Sequence, residues 1–124
     1  MNALFTAIRT RWTAAMGGRT LYNTEAIGEA TYPYTTVKIV GNTTDDTFTE
    51  DIEEYLIQFD MFSDTSTCEE LGIAFEVLKT AFDKHPLAIV GYTVIRMDRG
   101  NANIIRIEKK WHYVVTYRIK IQKN

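Results

Sequence analysis

A chain of 124 residues and 14.3 kDa is one domain's worth of material, and mass scaling gives about 6,800 Å² exposed when folded against about 20,700 Å² when extended, enough for one core without staples. Hydrophobic residues make up 45% and charged residues 24%, with 7 Tyr, 6 Phe and 2 Trp, which excludes intrinsic disorder for most of the chain. Net charge is −2, but residues 1–93 carry 6 basic against 14 acidic side chains, and residues 94–124 carry 8 basic (Arg96, Arg99, Arg106, Lys109, Lys110, Arg118, Lys120, Lys123) against Asp98 and Glu108. A split of −8 and +6 suits a nucleic-acid surface or two faces that attract each other between subunits. No apolar run approaches the ~20 residues that span a bilayer. The N-terminus lacks a charged segment leading into an apolar one, so no secretory signal is expected. The lone Cys68 can form neither an internal disulfide nor a metal–thiolate site, and points to a reducing compartment.

Residues 2–16 read as an amphipathic helix, with Leu4, Phe5, Ile8, Trp12 and Ala15 on one face at 3.6 residues per turn, Asn2 as N-cap and Gly17-Gly18 as the stop. Residues 19–33 show no period. Tyr32-Pro33-Tyr34 leads into a strand over Tyr34 to Val40, with Gly41-Asn42 as its turn signal. Residues 43–54, with Asp45, Asp46, Glu50, Asp51, Glu53 and Glu54 and no base, read as a solvated, mobile loop or frayed hairpin tip.

Residues 54–63 form a second strand, in which Tyr55, Ile57, Phe59 and Met61 alternate with Leu56, Gln58, Asp60 and Phe62; apolar ends in the second set predict partial cover on both faces. Ser66 and Glu69 have capping-box spacing. Leu71, Ala74, Phe75, Leu78 and Phe82 mark a helix to about Lys84, stopped by Pro86. A third strand spans Leu87 to Met97, Asp98-Arg99-Gly100-Asn101 is a turn, and a fourth strand spans Ile104 to Ile121. Its second half sets Trp111, Tyr113, Val115, Tyr117, Ile119 and Ile121 on one face and His112, Val114, Thr116, Arg118 and Lys120 on the other. The expected fold is α+β, in the order α-β-β-α-β-β. A four-stranded, mainly antiparallel sheet carries two helices on one face; a right-handed crossover through the second helix would allow the second and fourth strands to sit side by side, and the sequence leaves the strand order open. The predicted core is Leu4, Ile8, Trp12, Leu71, Phe75, Leu78 and Phe82.

Catalytic and metal-binding patterns are absent. The acidic segment lacks the glycine and ligand period of a calcium loop. His85 sits at a helix end, where a cation suits the dipole, and His112 lies between two aromatics on a polar strand face. Cys68, in a first helical turn, has no reactive pattern around it. Gly17-Gly18 and Gly91 do not make a phosphate loop. In the last strand the bases and the aromatics point to opposite faces, whereas a nucleic-acid stacking platform needs both on one surface.

The helix, the glycine break, the proline-led strand of Tyr32 to Asn42, the acidic loop, the strand ending Phe62-Ser63-Asp64, the Leu/Phe helix and the hairpin of Leu87–Met97 with His112–Ile121 together resemble the tail terminator and tail-completion proteins of long-tailed bacteriophages and gene transfer agents, over nearly the whole chain. The resemblance implies a single, non-enzymatic domain (residues 1–124) without cofactor or metal. It implies a homo-oligomeric ring, usually a hexamer, that caps the tail tube, stops its polymerisation and presents a docking surface to the head connector or neck protein. Such a protein is assembled in the bacterial host cytoplasm and resides at the tail–head junction of the virion. DNA passes through the lumen without sequence-specific binding, and no membrane is involved.

A ring needs two different complementary patches per subunit. The candidates are Asp45, Asp46, Phe48, Glu50 and Asp51 on the acidic side, with Phe48 or Ile52 as an apolar anchor, and Arg96, Arg99, Arg106, Lys109 and Lys110 on the basic side. The competing readings are a small nucleic-acid-binding domain using the basic C-terminal hairpin, and a small enzyme or ligand-binding domain.

Overall fold

Helix α1 (Asn2–Met16) buries Leu4, Ile8 and Trp12 together with Ala7 and Met16; Phe5 is half-buried and Ala15 is exposed, so the apolar stripe is narrower than the sequence period suggests. Gly17 ends the helix at φ +60°, the left-handed geometry that glycine enters without steric cost. The computed structural model describes residues 2–17, 19–23, 32–44, 51–65, 67–83 and 85–124. Gly18, Ser66, Asp45, Asp46, Phe48 and Glu50 are therefore outside the described residues, and with them the proposed capping serine and the middle half of the acidic segment.

The sheet has five strands rather than four, and it is mixed. Its order is β1-β2-β3-β5-β4, from β1 (Thr20–Asn23), β2 (Tyr34–Thr44), β3 (Ile52–Ser63), β4 (Tyr92–Ile107) and β5 (Lys110–Lys123), with α2 (Glu69–Phe82) between β3 and β4. The element order is therefore α-β-β-β-α-β-β, which corrects the four-stranded expectation. The strand missed is β1, which pairs parallel to β2. It has four residues and one buried side chain, Leu21, too few for an alternation to register. Its place is set by α1: Arg9 donates to Leu21 O at 2.9 Å and Trp12 Nε1 donates to Arg19 O at 2.8 Å.

Strand ends also differ from expectation. Gly41-Asn42 is no turn; β2 passes through a bulge between Ile39 and Gly41 and stays paired with β3 to Thr44↔Glu53. The ends of the acidic stretch are thus ladder, not loop. Helix α2 begins at Glu69, with Cys68 in the N-cap position and no side-chain cap, and it ends at Phe82 rather than Lys84. Leu87 and Ile89 are buried but precede the strand. Asp98-Arg99-Gly100-Asn101 lies inside β4, as a bulge between Arg99 and Ala102. There Asn101 N donates to Thr116 Oγ1 at 3.0 Å. A Cβ on Gly100 would stand 2.7 Å from that oxygen, so the turn-like residues serve a close approach instead. The true reversal is Glu108-Lys109, at φ 51° and 65°, flanked by Ile107↔Lys110. A two-residue hairpin turn with both φ positive normally takes Asn-Gly, so neither residue signals it.

Strands β3 and β5 pair antiparallel from Ile52↔Gln122 to Ser63↔Trp111, and β4 returns on the far side of β5. Hence β3 and β4 run parallel with β5 between them, bridged by α2 in a split crossover. Both helices cover one sheet face. Phe59, fully buried, stacks on Trp12 at 5.9 Å and meets Phe82 at 5.2 Å and Tyr117 at 6.0 Å. All seven predicted core residues are buried, joined by Val37, Ile57, Met61, Val115 and Ile119.

Phe59→Ala should lower unfolding free energy by about 3–5 kcal/mol, the range for a buried aromatic, read by urea denaturation; a loss under about 1 kcal/mol would contradict the packing. Glu108→Asn with Lys109→Gly should stabilise the fold by about 1 kcal/mol or more, since left-handed geometry costs an ordinary L-residue about 1–2 kcal/mol; an unchanged urea midpoint would contradict the turn geometry.

Candidate functional site

The sheet face away from the helices follows from the registers. Tyr34, Phe62 and His112 form one cross-strand row, with Ile105 opposite His112 on β4. Tyr34 stacks on Phe62 at 4.9 Å and Phe62 on His112 at 4.3 Å, while Tyr22 and Tyr32 meet Tyr34 at 6.0 and 5.1 Å. The rings stand against one another across the sheet, so their faces are spent on each other and are not offered to bases. Burial raises the Tyr34 phenol pKa, helped by Tyr32 and Tyr22 nearby, so it stays a neutral donor.

Next to this row lies Asp60, only 5% exposed on a face that no helix covers. His112 Nε2 is 2.8 Å from Asp60 Oδ1, Gln58 Nε2 donates to both carboxylate oxygens at 3.0 and 3.1 Å, and Lys38 Nζ is 3.9 Å away. An ionised carboxylate only accepts, so the His112 nitrogen facing it carries a proton. Burial alone would raise the Asp60 pKa; the hydrogen bonds from His112 and Gln58, with the charges of His112 and Lys38, outweigh it and hold the carboxyl below its ordinary value. The helix-covered face has its own network, anchored on the buried Tyr117. Tyr117 OH donates to Asp83 Oδ1 at 2.6 Å and Arg99 Nε lies 3.3 Å from Asp83 Oδ2, while burial pushes the Tyr117 phenol well up.

The basic residues singled out in the sequence do not form one patch. Arg96 pairs with Asp98 on the open face. Arg99 is spent on Asp83 and lies 5.3 Å over the Phe75 ring. Only Arg106, Lys109 and Lys110 come together, at the tip of the β4–β5 hairpin, with Arg106 4.7 Å over Trp111 and Lys110 4.7 Å over Tyr32. Asp51 is exposed at the opposite end of the sheet, where its carbonyl accepts from Lys123 N at 2.9 Å. Asp45, Asp46, Phe48 and Glu50 fall in the undescribed stretch. Ile52 is 8% exposed and buried within the subunit, so it cannot anchor a partner.

Three side chains that the sequence reading passed over are Ile104, Ile105 and Ile107, exposed by 39%, 43% and 56% at the same tip as Arg106. The signal was present: isoleucines at three of four consecutive positions put apolar groups on both faces of a strand. A groove of about 840 Å³ runs between α1, the end of α2 and residues 85–90, lined largely by Ala and Thr. Its one guanidinium, Arg11, is occupied by the carbonyls of Ala81, His85 and Pro86, so it offers no free charge to a ligand. Among the described residues there is no group of three His, Cys, Asp or Glu that could hold a metal ion, and no helix is long and apolar enough to cross a membrane.

No protein-family model matches the chain, and no curated protein matches it in sequence. Among solved structures, a chain of the virion of a native gene transfer agent particle superposes with a TM-score of 0.78, covering 98% of this chain and 96% of its own at 14% identity. At that identity the likeness is one of fold.

Asp60→Asn should cost about 1–3 kcal/mol at pH 7, the worth of hydrogen bonds to a buried charge. A depressed folded-state pKa gives stability that is complete above the unfolded value of about 3.8 and is lost as pH falls through the lowered folded value. The difference between wild type and variant, followed by urea denaturation from pH 7 to pH 2, should shrink below pH 4. A constant difference would show that the carboxylate charge is not what the site holds.

Proposed function

We propose that this chain is a structural virion-assembly protein, a tail terminator whose ring caps the tail tube, stops its polymerisation and receives the head connector, with DNA passing through the lumen without sequence-specific contacts. The observation that carries the reading is the near full-length fold likeness to a chain of a gene transfer agent virion, joined to the resemblance in element order and residue flavour over the same span. The site fits a scaffold rather than a catalyst. Asp60 is engaged by His112, and Asp83 by Tyr117 and Arg99, and the groove of about 840 Å³ has a mostly Ala and Thr lining and an arginine held by backbone carbonyls.

The competing reading, nucleic-acid binding through the C-terminal hairpin, finds less support. Arg96, Arg99 and Arg118 are each paired with a carboxylate, and the other bases are split between the tip, where Arg106, Lys109 and Lys110 stand beside Glu108, and the far end of β5, which carries Lys120 and Lys123.

Light scattering across concentrations, with negative-stain images of the protein mixed with purified tail tubes, should show rings alone or on tube ends. A monomer that never binds a tube end would overturn the reading. Affinity for DNA that falls steeply with salt, in a protein that forms no rings, would replace it with the nucleic-acid reading. Neutralising Asp45, Asp46, Glu50 and Asp51 to Asn or Gln should leave stability within about 0.5 kcal/mol, as for surface changes, and lower ring closure or head joining in a complementation assay; wild-type particle yield would remove the acidic segment from assembly.

A further inference from the structure

Strand β4 ends the sheet order, and among the described residues no strand pairs with its outer edge. Which of its backbone groups face outward follows from the ladder. Lys123 N donates to Asp51 O at 2.9 Å and Asn124 N to Gly91 O at 3.0 Å. Bonding direction alternates along a strand, and β5 pairs with β3 without a bulge. Odd-numbered residues of β5 therefore bond towards β3 and even-numbered ones towards β4. The two-residue turn at Glu108-Lys109, with both φ positive, agrees, because it makes Ile107↔Lys110 a bonded pair. By the same register Ile105 bonds His112 and Asn103 bonds Val114. Ala102, Ile104 and Arg106 are left with their N–H and C=O groups turned outward.

Free edges are ordinarily blunted by bulges, charges or proline. The first part of β4 is treated so: it bulges between Val94 and Arg96 and again between Arg99 and Ala102, and it carries Arg96, Asp98 and Arg99. Residues 102–107 are not. Their ladder is unbroken over roughly 20 Å at ~3.3 Å per residue, and they include no proline. Exposed isoleucines flank this edge on both faces, Ile105 and Ile107 on the open one, and Ile104 on the other beside Arg106. Arg106 lies over the Trp111 ring and is in no ion pair among the described residues. Lys109 and Lys110 add two more cations against Glu108.

We infer that this edge accepts an extended acidic segment of another protein as a sixth strand, with apolar side chains beside Ile105 and Ile107 and a carboxylate beside Arg106. Main-chain bonds to Ala102, Ile104 and Arg106 supply the pairing, and the alternation of the added side chains supplies the choice of partner. The carboxylate adds a charge-assisted bond to a guanidinium that has none. The partner is a different chain because this one offers no matching strand. Its other free edges among the described residues are β1 and residues 38–44 of β2, and neither carries a carboxylate. The one acid within β4, Asp98, is held by Arg96. The inference goes beyond the terminator reading and does not rest on the ring.

Fluorescence anisotropy of the full chain with a labelled ten-residue peptide alternating glutamate and valine tests it. That peptide should bind at least tenfold more tightly than its lysine–valine counterpart, and at least tenfold more tightly than the same peptide N-methylated along its backbone. Hydrogen exchange should find the Ile104 and Arg106 amides fast in the free subunit and slowed at least tenfold by the peptide, with the Ile105 and Ile107 amides already protected. Ile104→Pro removes an outward N–H without taking a bond from the ladder, and should lose at least tenfold in affinity against Ile104→Ala. Arg106→Glu should reverse the preference between the two peptides. Circular dichroism checks folding; if Ile104→Pro does not fold, the N-methylated peptide and Arg106→Glu still decide. No binding of the glutamate peptide, or equal binding of its N-methylated form, would overturn the inference. Slowing of the Ile104 and Arg106 amides by protein concentration alone would give the edge to a second copy instead. Duplex DNA that binds more tightly than the peptide, and is lost in Arg106→Glu, would give it to nucleic acid. Ring formation by the wild type is read separately, so the terminator reading stands or falls on its own.

Discussion

The pairing of β3 with β5 is the constraint on which the rest of the molecule depends. Twelve consecutive residues of each strand are in register, from Ile52↔Gln122 to Ser63↔Trp111, although the mid-strand partners Gln58 and Thr116 are 58 positions apart in sequence, by way of α2 and β4. A slip of one residue would turn every side chain of one strand to the other face. It would bring Phe59 out from between Trp12 and Phe82 and drive Asp60 beneath the helices. Register is therefore held from both sides at once, by the aromatic cluster on the covered face and by the Asp60–His112 pair on the open one.

That arrangement explains a sheet with only one helical layer that still has order on its open face. An antiparallel sheet usually leaves such a face solvated and polar. Here Tyr34, Phe62 and His112 shield one another across three strands, and Asp60 is tucked beside them with its acceptors filled by His112 and Gln58. A buried carboxylate is strongly destabilising once its partners are removed, so the face tolerates few changes despite its exposure. The covered face repeats the device at Tyr117, Asp83 and Arg99. Polar groups on both faces are used to fix geometry.

The ends of the sheet are organised differently from its middle. Along the centre, charges are paired and aromatic rings are in contact. At the β4–β5 tip, isoleucines and cations stand together in the open, on a turn whose backbone is itself unfavourable for Glu108 and Lys109.

Much of the molecule was legible from local pattern. The 3.6-residue period named Leu4, Ile8, Trp12, Leu71, Phe75, Leu78 and Phe82, and all are buried; the two-residue alternation from Trp111 to Ile121 separated the faces of β5. These signals are strong because each side chain's environment repeats at a fixed interval along one element. What only the tertiary structure decided depended on pairing across distance. Strand β1 is a strand because α1 clamps Leu21 and Arg19 beside β2, not because four residues prefer it. Gly100-Asn101 became a bulge because Thr116 lies opposite, and the reversal fell on Glu108-Lys109, where no turn residue marks it. Arg96 and Arg99 look alike in sequence, yet a three-residue separation places one on the open face with Asp98 and the other under α2 with Asp83. Composition fixes how much charge and apolar surface a chain carries; which of it is left uncovered is settled by register, since a strand's side chains are assigned to a face only when its neighbours are in place.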